Sequence, residues 1–161
     1  MKVNIKKEKI ILLLKIVILV IIDQILKILI FTNKQILPIQ LIESILKINY
    51  TENFGIAFGM AKGGKIAFII INIIIIFIVL ALIFIKDKNL NKISKNCCIL
   101  IVAGGIGNLI DRIFRGYVID YIDFSQIINF PIFNFADIMI VIGTFGIAFF
   151  IILENIIKNN D

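Results

Sequence analysis

The sequence predicts a mainly α-helical integral membrane protein: a four-helix transmembrane bundle with a small extracytoplasmic β-rich subdomain and an interfacial segment on its outer surface. Three observations predict it. Sixty per cent of the 161 residues are hydrophobic and only 17% are charged, against about 45–50% and about 25% in soluble domains. Mean hydropathy is +1.06 and 46 residues are Ile, more apolar surface than so short a chain can bury in a core of its own. Residues 66–85 carry no charge at all, and 20 helical residues reach about 30 Å, the thickness of a hydrocarbon core. The length predicts one domain, residues 1–161.

The spans follow in order. The first covers about 10–31 and contains Lys15, Asp23 and Lys27; its lysines are expected to snorkel toward opposite faces. The second is 66–85. The third, about 97–111, is rich in small residues, with Gly104, Gly105 and Gly107 suited to close helix approach. The adjacent Cys97 and Cys98 read as apolar lining of that helix end. The fourth, about 134–154, starts near Asn134. Between them lie two outer segments, about 32–65 and 112–133. The first carries short β-prone runs from Gln40 to Tyr50 and then NFGIAFGM. The second contains YVIDYIDFSQIINFPIF, too aromatic for a solvated linker, and reads as an interfacial strand or amphipathic helix.

Lysine placement orients the chain. Segments 1–9, 86–96 and 154–161 hold nine Lys in 28 residues, whereas 32–65 and 111–137 hold six Lys or Arg in 61. The positive-inside rule therefore puts both termini in the cytoplasm and the two long segments outside. The net charge of +6 belongs to these flanks. No basic cluster is interleaved with aromatics, so nucleic acid is not an expected partner. The first apolar stretch is too long for a cleavable signal peptide, and no small-x-small site follows it.

Five of the eleven carboxylates lie within or beside apolar sequence: Asp23, Asp111, Asp120, Asp123 and Asp137. Ionisable groups at membrane depth are functional candidates by default. Taken singly, Asp137 reads as a charge favoured at a helix N-terminus, and Asp120 as a solvated loop charge. Taken together they point further. The chain leaves the third span after Asp111, crosses the outer surface and returns at Asp137, a path that can bring Asp120 and Asp137 face to face. Two close carboxylates share a proton and supply a general base and a general acid with water as nucleophile. Asp111 and Arg115 stand at i, i+4 spacing and can pair; with Arg112 they read as fixing the end of the third span, or as anchoring polar groups. Asn53 and Asn134 suit either orientation of a substrate carbonyl or a turn. Asp23, four residues before Lys27, fits a structural role as well as substrate contact.

Other chemistries fail on inventory. The chain has no His, so no Ser-His-Asp triad, Cys-His dyad or HExxH zinc site exists. No phosphate loop or GxGxxG motif is present. Neither a metal nor a cofactor is expected. Two rival classes stay open from the residues alone: an ion-coupled transporter using Asp23 and Asp111, and a non-catalytic membrane scaffold that would tolerate loss of Asp120 and Asp137 together.

The run GGIGNLIDRIFRGYVIDYIDF (Gly104–Phe124) followed by FNFAD (Phe133–Asp137), with Asp23 upstream and NFGIAFG from Asn53 to Gly59, resembles the bacterial lipoprotein signal peptidases, the type II signal peptidases, over essentially the whole chain. The resemblance implies a membrane-embedded aspartic endopeptidase that cuts the signal peptide from prolipoproteins just before a diacylglyceryl-modified cysteine. It implies Asp120 and Asp137 as the catalytic pair. It also implies that Asp23, Asn53, Gly107, Asn108, Asp111, Arg112, Val118, Asn134 and Ala136 shape the pocket and contact substrate or the inhibitor globomycin. Its implied partners are the lipidated signal peptides and membrane lipids, its location the cytoplasmic membrane, its state monomeric. Two departures are visible: Tyr121 where the family commonly has Phe, and a short interval before FNFAD.

Overall fold

A computed structural model describes residues 2–55, 64–85 and 90–160. Residues 56–59 of the NFGIAFG motif, and Lys86, Asp87, Lys88 and Asp161 of the flanks, lie outside the described residues. The chain runs as α1 (Lys2–Thr32), a short 3-10 turn, β1 (Ile39–Ile42), β2 (Leu46–Asn53), α2 (Gly64–Ile85), α3 (Lys92–Phe114), β3 (Val118–Asp123) and α4 (Phe135–Asn160). The protein is thus mainly helical, with one three-stranded antiparallel sheet in the order β1-β2-β3. Among the described residues three helices are long and apolar enough to cross a membrane: Ile66–Ile85, Lys92–Phe114 and Phe135–Glu154. α1 is longer, but carries the charges expected of it.

The third helix is the hub. α3 packs against α1, α2 and α4, and α1 also meets α4. Small residues allow this. A Cβ at Gly104 would collide with the Ala136 carbonyl at the start of α4, so the two helices approach as only glycine permits. The shared core joins Leu12 and Ile16 of α1, Ile76, Val79 and Ile83 of α2, Val102 and Ala103 of α3, and Ala136 and Met139 of α4. Cys97 and Cys98 are buried, unbridged thiols in this packing. The outward faces remain apolar: Phe77, Phe145 and Ile85 are largely exposed, as lipid-facing residues should be.

The helix ends are set locally. Asn91 caps α3 by accepting the Ser94 N–H at 2.7 Å. At the other end the Arg115 and Gly116 N–H groups both donate to the Asp111 carbonyl, at 2.8 and 3.1 Å, and Gly116 takes the positive φ that ends such helices. α3 therefore extends beyond the expected 97–111 at both ends, and takes residues 112–114 from the expected outer segment. In the aromatic segment, the strand alternative is the one observed, over Val118–Asp123.

Candidate active site

Asp120 and Asp137 come together through a stitch between β3 and the start of α4. The Phe133 carbonyl accepts the N–H groups of Tyr121 and Ile122 at 3.0 and 2.8 Å, and the Phe133 N–H returns to the Ile122 carbonyl at 3.2 Å. This isolated bridge holds residues 133–137 beside the middle of β3. Asn134 then caps α4: its side-chain oxygen accepts the Asp137 N–H at 3.0 Å, and Asp137 Oδ2 accepts the Asn134 N–H at 3.1 Å. It is a reciprocal capping box, and it fixes the Asp137 carboxylate at the helix mouth. The helix-terminus reading of Asp137 is thus correct as geometry and compatible with the sharper one.

Each of the four carboxylate oxygens accepts an amide N–H. Asp120 takes Asn134 Nδ2 on Oδ1 at 2.6 Å and Asn53 Nδ2 on Oδ2 at 2.8 Å. Asp137 takes Asn108 Nδ2 on Oδ1 at 2.7 Å, besides the backbone N–H of Asn134. Asn134 thereby touches both carboxyls. Asp120 is 2% exposed. Burial, reinforced by the neighbouring Asp137, pushes its carboxyl up to about 6, against the lowering effect of Asn53 and Asn134. Arg112 donates to the Asn108 carbonyl at 3.3 Å and lies over the Phe68 ring, 5.9 Å from its centre. Asp120, Asn53, Arg112 and Phe68 share a cavity of about 600 Å³. Asp137 borders an apolar pocket of about 250 Å³ walled by Phe130, Phe133, Ile138, Val141 and Ile142.

One residue of irregularity in β2 makes this placement work. Lys47 pairs with Asp123 and Ile48 with Ile122, but Thr51 pairs with Asp120 and Asn53 with Val118, a register shift between Ile48 and Thr51. An extra residue reverses which face the following side chains occupy. One strand thus serves both aspartates: Lys47 beside Asp123, and Asn53 on the Asp120 face. Asp123 accepts Ser125 N–H and Asn49 Nδ2 at 2.8 and 2.9 Å and pairs with Lys47 at 3.3 Å. Burial opposes its charge, yet these bonds outweigh it and hold its carboxyl below the usual range. Asp123 is a structural tie.

Behind the pair lies a second polar layer. Lys27 is fully buried and its ammonium meets Asp23 and Asp111, each at 3.0 Å, and Asn108 Oδ1 at 2.9 Å. This corrects the snorkelling expected of Lys27: two buried carboxylates and an amide hold it inside, where a charge is tolerable only when paired. Lys15 does reach an exposed position, bonded to Asn96 at 3.0 Å. Asp111 also pairs with Arg115, as the i, i+4 spacing predicts, and accepts the Ile119 N–H at 3.3 Å. Asp23 accepts the Ala136 N–H at 3.1 Å. Gly107 lies directly against Asp23, where a Cβ would strike its Oδ2.

Of the eleven residues expected in the site, Asp120, Asp137, Asn53, Asn108, Arg112 and Asn134 converge. Asp23, Asp111, Gly107 and Ala136 form the layer behind them, and Val118 is buried two residues before Asp120. Sequence reasoning missed Lys27 and Gln24. Gln24 donates to the Gly107 carbonyl at 3.1 Å and accepts from Arg115 at 3.3 Å. A lysine and two aspartates in apolar spans were the available signal for Lys27. Tyr121, the departure from family usage, places its hydroxyl where the Phe135 N–H donates to it at 3.3 Å, at one of the orphan donors of α4.

These features define a class: an integral membrane protein whose polar site holds two aspartates joined through Asn134. Comparison with known proteins sharpens it. The family described as Signal peptidase (SPase) II matches residues 15–153. A lipoprotein signal peptidase of Caldicellulosiruptor bescii is 43% identical over 117 residues, 73% of this chain and 74% of that protein. One of Fusobacterium nucleatum is 38% identical over 146 residues, covering 88% and 84%. A bacterial membrane enzyme solved by the in meso method at 1.9 Å resolution superposes with a TM-score of 0.80 at 37% identity, covering 87% of this chain and 91% of the other. A related structure at 2.3 Å gives 0.79 at 36%, covering 89% and 88%. The chain belongs to the signal peptidase II family, and is a peptidase.

Proposed function

We propose that this peptidase removes the signal peptide from diacylglyceryl-modified prolipoproteins, cutting before the lipidated cysteine, with Asp120 and Asp137 as its catalytic pair. The observation that carries the reading is Asn134, which binds Asp120 through its side chain and Asp137 through its backbone and so holds two carboxyls at one point. A single proton is shared by the pair at working pH. The ionised member takes a proton from water, and the protonated member polarises the scissile carbonyl; the roles reverse as the amine leaves. Amide donors suit this work because they orient a carboxyl in either protonation state without neutralising it. Asn53, Arg112 and Asn134 place the scissile segment.

In this reading residues 1–161 form one domain, a four-helix bundle in the bacterial cytoplasmic membrane that acts as a monomer. Both termini face the cytoplasm and the strands lie on the outer surface. The signal helix enters laterally between spans while its acyl chains stay in the bilayer. The apolar pocket beside Asp137 gives the substrate's apolar flank a place against the pair.

The deciding experiment is a gel-shift cleavage assay with purified enzyme in detergent. One prolipoprotein is offered with and without diacylglycerol on its cysteine. Cleavage of the lipidated form alone, unchanged by chelator, is the expected result. Cleavage of both forms equally would remove the lipid from the specificity, and dependence on added zinc would overturn the dyad.

A further inference from the structure

The end of the bundle remote from the aspartates carries a second polar site. A cavity of about 380 Å³ opens between α1 and α3, lined by Glu8, Lys15, Lys92, Lys95 and Asn96, with Ile11 and Leu12 as its apolar wall. Three lysines and one carboxylate border it. Lys15 is already held toward α3 by Asn96, at 3.0 Å, so the lysines come from two helices that the core packs together. The cavity plays no part in the chemistry above. From Lys15 to Lys27 along α1, and from Asn96 to Asn108 along α3, each helix rises about 18 Å.

The depth of this cavity identifies its ligand. A hydrocarbon core takes about 20 helical residues. Counted back from Arg112, at the level of the aspartates, that length of α3 reaches Lys92. Counted back from Thr32, the same length of α1 reaches Leu12. Two helices independently put the cavity at the opposite headgroup level, where lysines near the surface attract anionic lipid. The Ile11 and Leu12 wall continues into the exposed apolar face of α1 (Leu14, Val17, Ile18), along which an acyl chain can lie.

We propose that this cavity binds the phosphate of an anionic glycerophospholipid from the leaflet opposite the aspartates. Lys15, Lys92 and Lys95 supply the positive field, and Asn96 orients Lys15. The placement rests on the spans assigned above, but the binding does not require peptidase activity.

Native mass spectrometry of the purified enzyme, released from nanodiscs of phosphatidylglycerol and phosphatidylcholine, tests this. Wild type should retain phosphatidylglycerol. The triple variant Lys15→Gln/Lys92→Gln/Lys95→Gln should lose at least about fivefold of that adduct, while Lys15→Arg/Lys92→Arg/Lys95→Arg keeps it. Glu8→Gln, which removes the opposing charge, should increase retention, and serves if the triple Gln variant does not fold. Glycerol 3-phosphate should displace little of the lipid, because the acyl chains are part of the fit. Equal retention by wild type and a folded triple Gln variant would overturn the site, as would lower retention by Glu8→Gln. Full displacement by glycerol 3-phosphate would assign the cavity to a soluble phosphate instead. Cleavage of prolipoprotein in detergent should be the same in all these variants, so a failure of the lipid site is distinguishable from a failure of the catalytic assignment.

Discussion

Two pairs of aspartates sit near one another in this molecule and are treated in opposite ways. Asp23 and Asp111 face cations: Lys27 bridges them and Arg115 pairs with Asp111. Asp120 and Asp137 face amides, from Asn53, Asn108 and Asn134. Both environments satisfy hydrogen bonds. Only the first neutralises charge. A carboxylate bonded to a buried ammonium has a countercharge beside it and serves as a strut. A carboxyl bonded to neutral donors keeps its proton in play. The same side chain becomes structural or chemical according to the charge of its partner, and Asn108 joins the two worlds by accepting from Lys27 and donating to Asp137. The transporter alternative needs Asp23 and Asp111 on an open path, and here both are buried and tied to Lys27.

The comparison is broken most directly at the amide-held pair. Asp120→Asn and Asp137→Asn should each lower prolipoprotein cleavage by at least about 10²-fold, the range of general acid–base catalysis, with membrane insertion intact. Full turnover by either variant would erase the distinction between the pairs. At the cation-held pair the damage should appear in folding. Lys27→Met strands Asp23 and part of Asp111 without a countercharge, at a cost of about 3–5 kcal/mol, seen as a lowered thermal midpoint in detergent. Asp23→Asn added to Lys27→Met should recover part of it. An unchanged midpoint in Lys27→Met would show the layer to be dispensable.

A pH series sharpens the contrast. Burial, the largest cause, raises the Asp120 carboxyl from 3.8 to about 6. The folded state therefore binds more protons than the unfolded state between about pH 4 and 6, and stability falls as pH rises through that window. The difference is worth about 3 kcal/mol at full effect. Relative to wild type, Asp120→Asn should gain stability by up to that amount between pH 4 and 7 in denaturant titrations; a flat difference would contradict the burial argument. The smallest change is at Tyr121→Phe. It removes one 3.3 Å bond to the Phe135 N–H, about 1 kcal/mol or less, and should leave cleavage within about twofold of wild type.

Much of this was legible in the chain. Uncharged runs reveal spans because lipid tolerates little else, and Asp120 and Asp137 stand out as carboxylates in apolar blocks. What stayed hidden depends on register and tertiary pairing. The β2 irregularity that serves Asp123 and Asp120 from one strand leaves no mark in the sequence between Ile48 and Thr51. Lys27 looked free to snorkel because its partner Asp111 is far along the chain, and only the packing of α1 on α3 unites them. Gly107 was read as a helix-packing residue; that its missing Cβ makes room for a carboxylate follows only from the position of Asp23.

The sealed lysine layer has a consequence for the cell's energy supply. A hydrolase that handles protons inside an energised membrane must not become a leak. Toward the opposite face from Asp23, α1 offers no titratable side chain until Lys15, and α3 has only the buried thiols of Cys97 and Cys98 between Asn108 and Lys95. Glycine-tight packing of α3 on α4 leaves little room for a water file alongside them. If Asp120 and Asp137 are the catalytic pair proposed above, protons exchanged there return to the side they came from, and the hydrolysis runs without short-circuiting a proton gradient.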